Sequence, residues 1–134
     1  NWMRVQFQEE QAHGMFIYDF LIDRGEKVIL TPIDAPPNTW KNPLHVMEEV
    51  LKHEIYVTGL INNIVSVAEE VKDRATMSYM SWFVDEQVEE EANAKEIIDK
   101  LKLIGDDKSA LYLLDKDLST RVFVQPMMKA TAGA

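Results

Sequence analysis

Apolar residues recur every three or four positions along three long segments of the chain, residues 1–24, 42–75 and 75–104. That spacing places them on one face of a helix, so each segment is predicted to be a long amphipathic α-helix. A shorter segment, residues 109–119, repeats leucine at the same spacing. The pattern therefore predicts an all-α fold with three long helices and one short C-terminal helix.

Residues that start and stop helices stand at the ends of these segments. Gly25 follows the basic Arg24, and glycine tolerates the positive φ with which helices commonly end. Asn42 and Pro43 open the second segment, as a capping side chain followed by a residue suited to the first helical position. Gly105 follows the third segment and ends it.

Residues 26–43 are predicted to form a long extended connection. Residues 28–31 are mostly β-branched, which allows a short strand-like piece. Four prolines exclude a helix through the region: Pro32, Pro36, Pro37 and Pro43. About eighteen residues are too many for a tight turn between antiparallel neighbours. We expect the connection to cross the length of a helical bundle and to join two parallel helices.

Polar residues interrupt the apolar face of each long helix near its middle. They are Glu10 in the first helix, Glu54 in the second, and Gln87 and Glu90 in the third. The apolar positions on the same stripe as Glu10 are Met3, Phe7, Gly14, Ile17 and Leu21. Burying one ionised carboxylate is costly, and several together are tolerated when a cation neutralises them. The interruptions therefore predict one buried metal site.

Glu10 and His13 form the sharpest motif, because residues three apart share one face of a helix. Glu-x-x-His inside a bundle is the recurring half-site of di-iron and di-manganese carboxylate proteins. Carboxylate oxygens together with an imidazole suit iron or manganese.

Each of these features, taken alone, has a plainer explanation. A Glu-x-x-His pair often arises by chance, Glu54 fits a surface position if the stripe is drawn one residue off, and residues 89–91 alone look like a solvated acidic face. A generic helical bundle with these acids on its surface is therefore an open alternative. The joint pattern across three helices favours the metal site.

Composition narrows the classes of function. A net charge of −9 makes the chain a poor general nucleic-acid binder, because phosphate contacts need Lys and Arg, and it favours cations. The chain has no cysteine, which excludes disulfides and thiol catalysis and fits a cytoplasmic location. No run of about 18 apolar residues indicates a transmembrane helix. We expect neither a nucleic-acid nor a membrane partner.

Four motifs together give the chain a family resemblance. They are Gln8-Glu9-Glu10-Gln11-Ala12-His13, Lys52-His53-Glu54, Asp85-Glu86-Gln87-Val88-Glu89-Glu90-Glu91 and Tyr112-Leu113-Leu114-Asp115-Lys116. In this order they resemble the second-, third-, fourth- and fifth-helix motifs of the bacterial non-haem ferritins. The resemblance covers residues 1–125 and implies a ferritin-like four-helix bundle domain there. Residues 126–134 are predicted to be a flexible C-terminal tail.

The resemblance implies a ferroxidase centre that binds two Fe(II) ions and oxidises them with dioxygen or hydrogen peroxide. Glu10 would bridge the two irons, and His13 would bind the first. Glu54 would bind the second, with Gln87 close by. Four carboxylates match the positions of a third, more weakly held iron: Glu9, Glu86, Glu89 and Glu90.

The same motifs separate this chain from relatives of other types. Haem-binding ferritins carry Met inside the Glu-x-x-His motif, where this chain has Gln11 and Ala12. Bacterioferritins, rubrerythrins and ribonucleotide reductase small subunits carry a second Glu-x-x-His on a later helix. Here Asn93 stands three residues after Glu90. We therefore expect bound iron and no haem.

The resemblance also implies a homo-oligomer, a hollow shell of 24 subunits that stores ferric mineral. The family's first helix supplies a Glu ligand and a Tyr, and neither is present in this sequence. The first predicted helix also lacks a clear N-cap, so we expect its true start to lie upstream of Asn1. An alternative stays open, namely a truncated or catalytically impaired subunit that builds the shell without oxidising iron.

Overall fold

The computed structural model describes residues 1–128, and all regular structure in this part of the chain is α-helical. The helices are α1 (Trp2–Asp23), α2 (Pro43–Glu70), α3 (Arg74–Ile104) and α4 (Lys108–Leu118). The predicted all-α fold of three long helices and one short helix is confirmed. None of these helices is both long and apolar enough to cross a membrane.

The chain divides into two compact units, one formed by Asn1–Pro37 with Lys108–Ala134 and the other by Asn38–Asp107. A single bundle domain over residues 1–125 stays a prediction. Of the predicted tail, residues 126–128 have no regular structure, and residues 129–134 lie outside the described residues.

Helices α2 and α3 form an antiparallel hairpin, the second unit, and polar side chains cap both of their N-termini. Asn42 accepts a hydrogen bond from the backbone N–H of His45 at 2.8 Å, with Pro43 at the first helical position, as predicted. Asp73 caps α3 by accepting from the backbone N–H of Thr76 at 3.1 Å and from its hydroxyl at 2.8 Å.

Apolar side chains from both helices of the hairpin fill its core. They are Met47, Ile61, Ala68, Met80, Phe83, Ala94, Ile97, Ile98 and Leu101. Glu54, Gln87 and Glu90 are buried along the same stripes. The predicted faces of α2 and α3 are therefore confirmed, except that Ile64 and Val71, towards the C-terminal end of the α2 stripe, are exposed.

The N-terminal half of helix α1 buries a different face from the predicted one, whereas Ile17 and Leu21 of the predicted stripe are half-buried. Its buried residues are Trp2, Val5, Gln6, Ala12 and His13. Met3 and Phe7, which the predicted stripe placed in the core, are 44% and 65% exposed. The prediction was wrong because polar residues interrupt the buried stripe, so the neighbouring apolar stripe looked more regular.

The connection between α1 and α2 has neither helix nor strand, so the long extended connection is confirmed. The strand-like piece expected around residues 28–31 does not form within the described residues. Three apolar side chains of the connection are 77%, 85% and 96% exposed, namely Ile29, Leu30 and Ile33. The connection thus presents an apolar surface.

Helices α1 and α2 both end in a Schellman motif, which needs one residue in the left-handed region after the helix. Gly25 occupies that position after α1 with φ 78°, and Lys72 occupies it after α2 with φ 61°. The defining N–H to O contacts are Gly25 to Ile22 (2.9 Å), Glu26 to Leu21 (2.9 Å), Lys72 to Glu69 (3.1 Å) and Asp73 to Ala68 (2.8 Å). Lys72 bears a steric cost that glycine avoids.

We expect Lys72→Gly to raise the free energy of unfolding by about 0.5–1 kcal/mol, because glycine adopts this backbone conformation without a Cβ clash. Gly25→Ala, the matched change at the other motif, is expected to lower it by about 1 kcal/mol. Urea denaturation followed by circular dichroism measures both. A Lys72→Gly variant less stable than the parent would contradict the assignment of strain to this turn.

Candidate metal centre

Two buried carboxylates lie side by side in the hairpin. Glu54 of α2 and Glu90 of α3 are each 5% exposed, and a carboxylate oxygen of one lies within 4.8 Å of a carboxylate oxygen of the other. The surface-charge alternative is therefore wrong for both residues. Two like charges this close in a buried setting repel each other, and a bound cation relieves that repulsion.

The Gln87 side chain, 6% exposed, hydrogen-bonds to Glu54. Its Nε2 donates to the backbone carbonyl of Glu54 at 3.1 Å and to the carboxylate Oε2 at 3.3 Å. The same Nε2 lies 3.3 Å from the hydroxyl of Thr58, one turn further along α2. Gln87 therefore lies close to Glu54, as predicted.

A polar chain leads from Thr58 to the surface of the hairpin. The Thr58 hydroxyl lies 2.9 Å from Glu91 Oε1, and Lys95 Nζ lies 2.9 Å from Glu91 Oε2. Hydrogen bonds from Lys95 and then from Thr58 hold the pKa of Glu91 below its ordinary value. A groove of about 460 Å³ runs along these residues and reaches Gln87.

The sequence motifs did not single out Thr58 or Glu91. Thr58 is an uncharged residue on the predicted apolar face of α2, so it did not stand out. Glu91 belongs to the acidic run 89–91, which looked like a solvated surface. Their spacing was the available signal, since Thr58 follows Glu54 by four residues and Glu91 follows Gln87 by four. Residues four apart lie on the same side of a helix.

In the first unit, Glu10 and His13 lie together on α1. His13 Nδ1 lies 3.4 Å from Glu10 Oε2, and the ring's Nε2 is buried. Gln6 donates to the other oxygen of Glu10 at 2.8 Å. The Glu10 side chain is 46% exposed, so it is not buried in the way that its position on the predicted stripe implied. Its predicted role as a bridging ligand is not tested by this exposure.

Arg121 lies three residues after the end of α4 and contacts side chains of α1. Its guanidinium pairs with the carboxylate of Glu9, donates to Gln6 Oε1 at 2.9 Å and lies 4.9 Å from the centre of the Trp2 ring. Burial raises the pKa of Glu9, and the charge of Arg121 opposes this without cancelling it. An iron at Glu9 would therefore have to compete with the guanidinium of Arg121 for this carboxylate.

The remaining predicted acids lie on α3 in the second unit. Glu86 is half-buried and Glu89 is exposed, and together with Glu90 they follow the i, i+3, i+4 spacing of one helical face. Their predicted role at a third iron stays a prediction.

The chain matches the family described as Ferritin-like domain over residues 1–104. The chain belongs to the ferritin family. Among curated relatives, the bacterial non-heme ferritin of Staphylococcus saprophyticus is 44% identical over 123 residues, 92% of this chain and 74% of that protein. The bacterial non-heme ferritin of Bacteroides fragilis is 40% identical over 121 residues, 90% of this chain and 75% of that protein.

Solved ferritin structures share the fold. A humanized archaeal ferritin superposes with a TM-score of 0.91 at 49% identity, covering 92% of this chain and 75% of that one. An open pore ferritin from Archaeoglobus fulgidus gives a TM-score of 0.90 at 50% identity, covering 91% and 75%. The predicted resemblance to the bacterial non-haem ferritins is confirmed, and this ferritin is an iron-storage subunit.

The Glu91–Lys95 pair has a predictable pH signature. Because the pKa of Glu91 is lowered in the folded state, the pair stabilises the fold above the ordinary carboxyl value of 4.5 and ceases to do so as the pH falls through the lowered pKa. We expect Lys95→Met to cost about 0.3–0.5 kcal/mol at neutral pH, a small value because Lys95 is exposed, and nothing in acid.

Urea denaturation at about pH 7 and about pH 3 measures this difference. Lys102→Met is the control, since Lys102 is an exposed lysine of the same helix. An equal cost for Lys95→Met at both pH values would show that the ion pair is not its source.

Proposed function

We propose that this ferritin oxidises Fe(II) at a di-iron centre before storing it as ferric mineral. The observation that supports this most directly is the buried pair Glu54 and Glu90, within 4.8 Å of each other in the hairpin. Carboxylate oxygens lie about 2.0–2.2 Å from a bound divalent ion such as Zn²⁺, so two oxygens within 4.8 Å of each other need only a small adjustment to bind one ion together. Carboxylates are hard ligands that suit iron.

Glu10 and His13 complete the centre in this proposal. Their contact at 3.4 Å orients an imidazole and a carboxylate together, as the Glu-x-x-His half-site requires. In this proposal Glu10 would bridge the two irons, His13 would bind the first, and Glu54 would bind the second with Gln87 beside it. Membership of the ferritin family supports this assignment.

The chemistry follows from the charge of the ligands. Two Fe(II) ions give up one electron each, and one dioxygen takes both electrons with two protons to form hydrogen peroxide. With hydrogen peroxide as the oxidant, two electrons and two protons yield two water molecules. Carboxylates favour Fe(III) because their negative charge stabilises the more highly charged ion. The neutral amide of Gln87 holds its iron less tightly, which favours release of the product.

We further propose that the subunit assembles with copies of itself into a shell of 24 subunits. The exposed apolar side chains of Ile29, Leu30 and Ile33 support an interface at the connection between α1 and α2, because surfaces of this kind are commonly covered by a partner. A cytoplasmic location and the absence of haem belong to the same proposal.

The substitution Glu54→Gln tests whether Glu54 binds iron, because glutamine has nearly the same shape as glutamate but no negative charge. Purified Glu54→Gln protein, given Fe(II) in air, is expected to form ferric absorbance at least about tenfold more slowly than the parent, because one charged ligand is lost. Glu48→Gln is the matched control, since Glu48 is an exposed glutamate of the same helix. The double variant Glu10→Ala, His13→Ala is expected to lose the fast phase as well.

Equal rates for the parent and Glu54→Gln would refute the di-iron proposal. A parent that forms a shell but oxidises iron no faster than buffer would instead indicate the catalytically impaired subunit.

Assembly is tested separately by native mass spectrometry. We expect a species of 24 chains for the parent. Leu30→Asp with Ile33→Asp is expected to shift the population to smaller species, because the charges are costly to bury at an interface. Ile22→Asp, at an exposed position of α1, is the control. A parent that stays monomeric would contradict the proposed shell.

A further inference from the structure

Thr58 is surrounded by three polar groups, and they determine where its hydroxyl proton points. The backbone carbonyl of Glu54 lies 3.0 Å from the Thr58 oxygen, and Glu91 Oε1 lies 2.9 Å from it. Both of these groups can only accept a hydrogen bond, while a threonine hydroxyl has one proton to donate. The Thr58 proton is therefore directed to one of them, and the hydroxyl offers only a lone pair to Gln87.

The side-chain amide of Gln87 has two ends, and its surroundings distinguish them. One end faces three oxygens, namely the Glu54 carbonyl at 3.1 Å, Glu54 Oε2 at 3.3 Å and the Thr58 hydroxyl at 3.3 Å. An amide oxygen at this end would face the lone pairs of Glu54, whereas an NH₂ group donates to them. The nitrogen therefore belongs at this end and the oxygen at the other.

The consequence is chemical, since only the amide oxygen can bind iron. A neutral amide NH₂ has no lone pair suited to a metal, whereas a side-chain carbonyl oxygen is a hard ligand. An amide that flips by 180° would present nitrogen where oxygen is needed. Groups that hold the amide in one orientation therefore affect metal affinity without touching the metal.

We propose that Thr58 is a positioning residue that holds the Gln87 amide with its oxygen available to the iron bound by Glu54. This inference rests on the proposed di-iron function. Glu91 assists, because it draws the hydroxyl proton away from Gln87, and Lys95 in turn holds Glu91 in place. The polar chain from Lys95 to Gln87 thereby acts on one of the two irons, and Glu10 and His13 lie outside it.

The test is anaerobic titration of the metal-free full chain with Co(II), whose visible absorption reports ligand geometry. The parent is expected to bind two ions per chain. Thr58→Val keeps the shape and removes the hydroxyl, and we expect it to weaken one of the two sites by about 10–100-fold. The other site is expected to keep its affinity. Thr58→Ser, which restores the hydroxyl, is expected to behave as the parent.

Ser66→Ala is the matched control. Ser66 also donates its hydroxyl to the carbonyl four residues earlier on α2, at 2.9 Å, but it is exposed. If the two hydroxyls only stabilise the helix, Thr58→Val and Ser66→Ala should both change the unfolding temperature, and neither should change the affinity for Co(II). If Thr58→Val does not fold, Thr58→Ala removes the same hydroxyl with less steric demand, and the same result is expected.

The outcomes separate the two proposals. Two sites with parental affinity in the folded Thr58 variant would overturn the positioning role alone, and so would equal weakening of both sites. A parent that binds no pair of ions contradicts the di-iron function itself, and this inference with it. Selective loss at one site, restored by Thr58→Ser and absent in Ser66→Ala, supports the proposal.

Discussion

The close approach of two buried carboxylates is the constraint on which the second unit depends. Glu54 and Glu90 lie within 4.8 Å of each other and are almost fully shielded from water. Such a pair is unfavourable while both carboxyls are ionised, so the hairpin around it draws its stability from other contacts. The capped helices and the apolar core on both sides supply that stability. Gln87 places a neutral donor against Glu54, where a third carboxylate would add repulsion.

Much of this hairpin could be predicted from the sequence, because its signals are local. The Asn42-Pro43 start, the apolar stripes of α2 and α3 and the polar interruptions at Glu54, Gln87 and Glu90 all depend on residues a few positions apart. Helix geometry then places them on one face without further information. The contacts of Thr58 could not be predicted in this way, since a hydroxyl shared among three groups is visible only once two helices pack.

The buried face of α1 was predicted wrongly for the same physical reason. Gln6 and Glu9 lie on its buried side, where hydropathy alone disfavours them. They are tolerated because Arg121 contacts both side chains. That compensation comes from a residue more than a hundred positions away, so no periodicity within α1 could reveal it. A polar interruption in a helix therefore identifies a site only when its partner is known.

The separation in sequence between contacting residues also orders the events of folding. The polar contacts that join α2 to α3 link residues 29 to 33 positions apart, whereas Arg121 reaches Gln6 and Glu9 across 115 and 112 positions. Closing the longer loop costs more chain entropy and is slower. During synthesis, the hairpin with Glu54 and Gln87 can begin to close before Arg121 has emerged from the ribosome. Helix α1, which carries Glu10 and His13, therefore forms its contacts with Arg121 last.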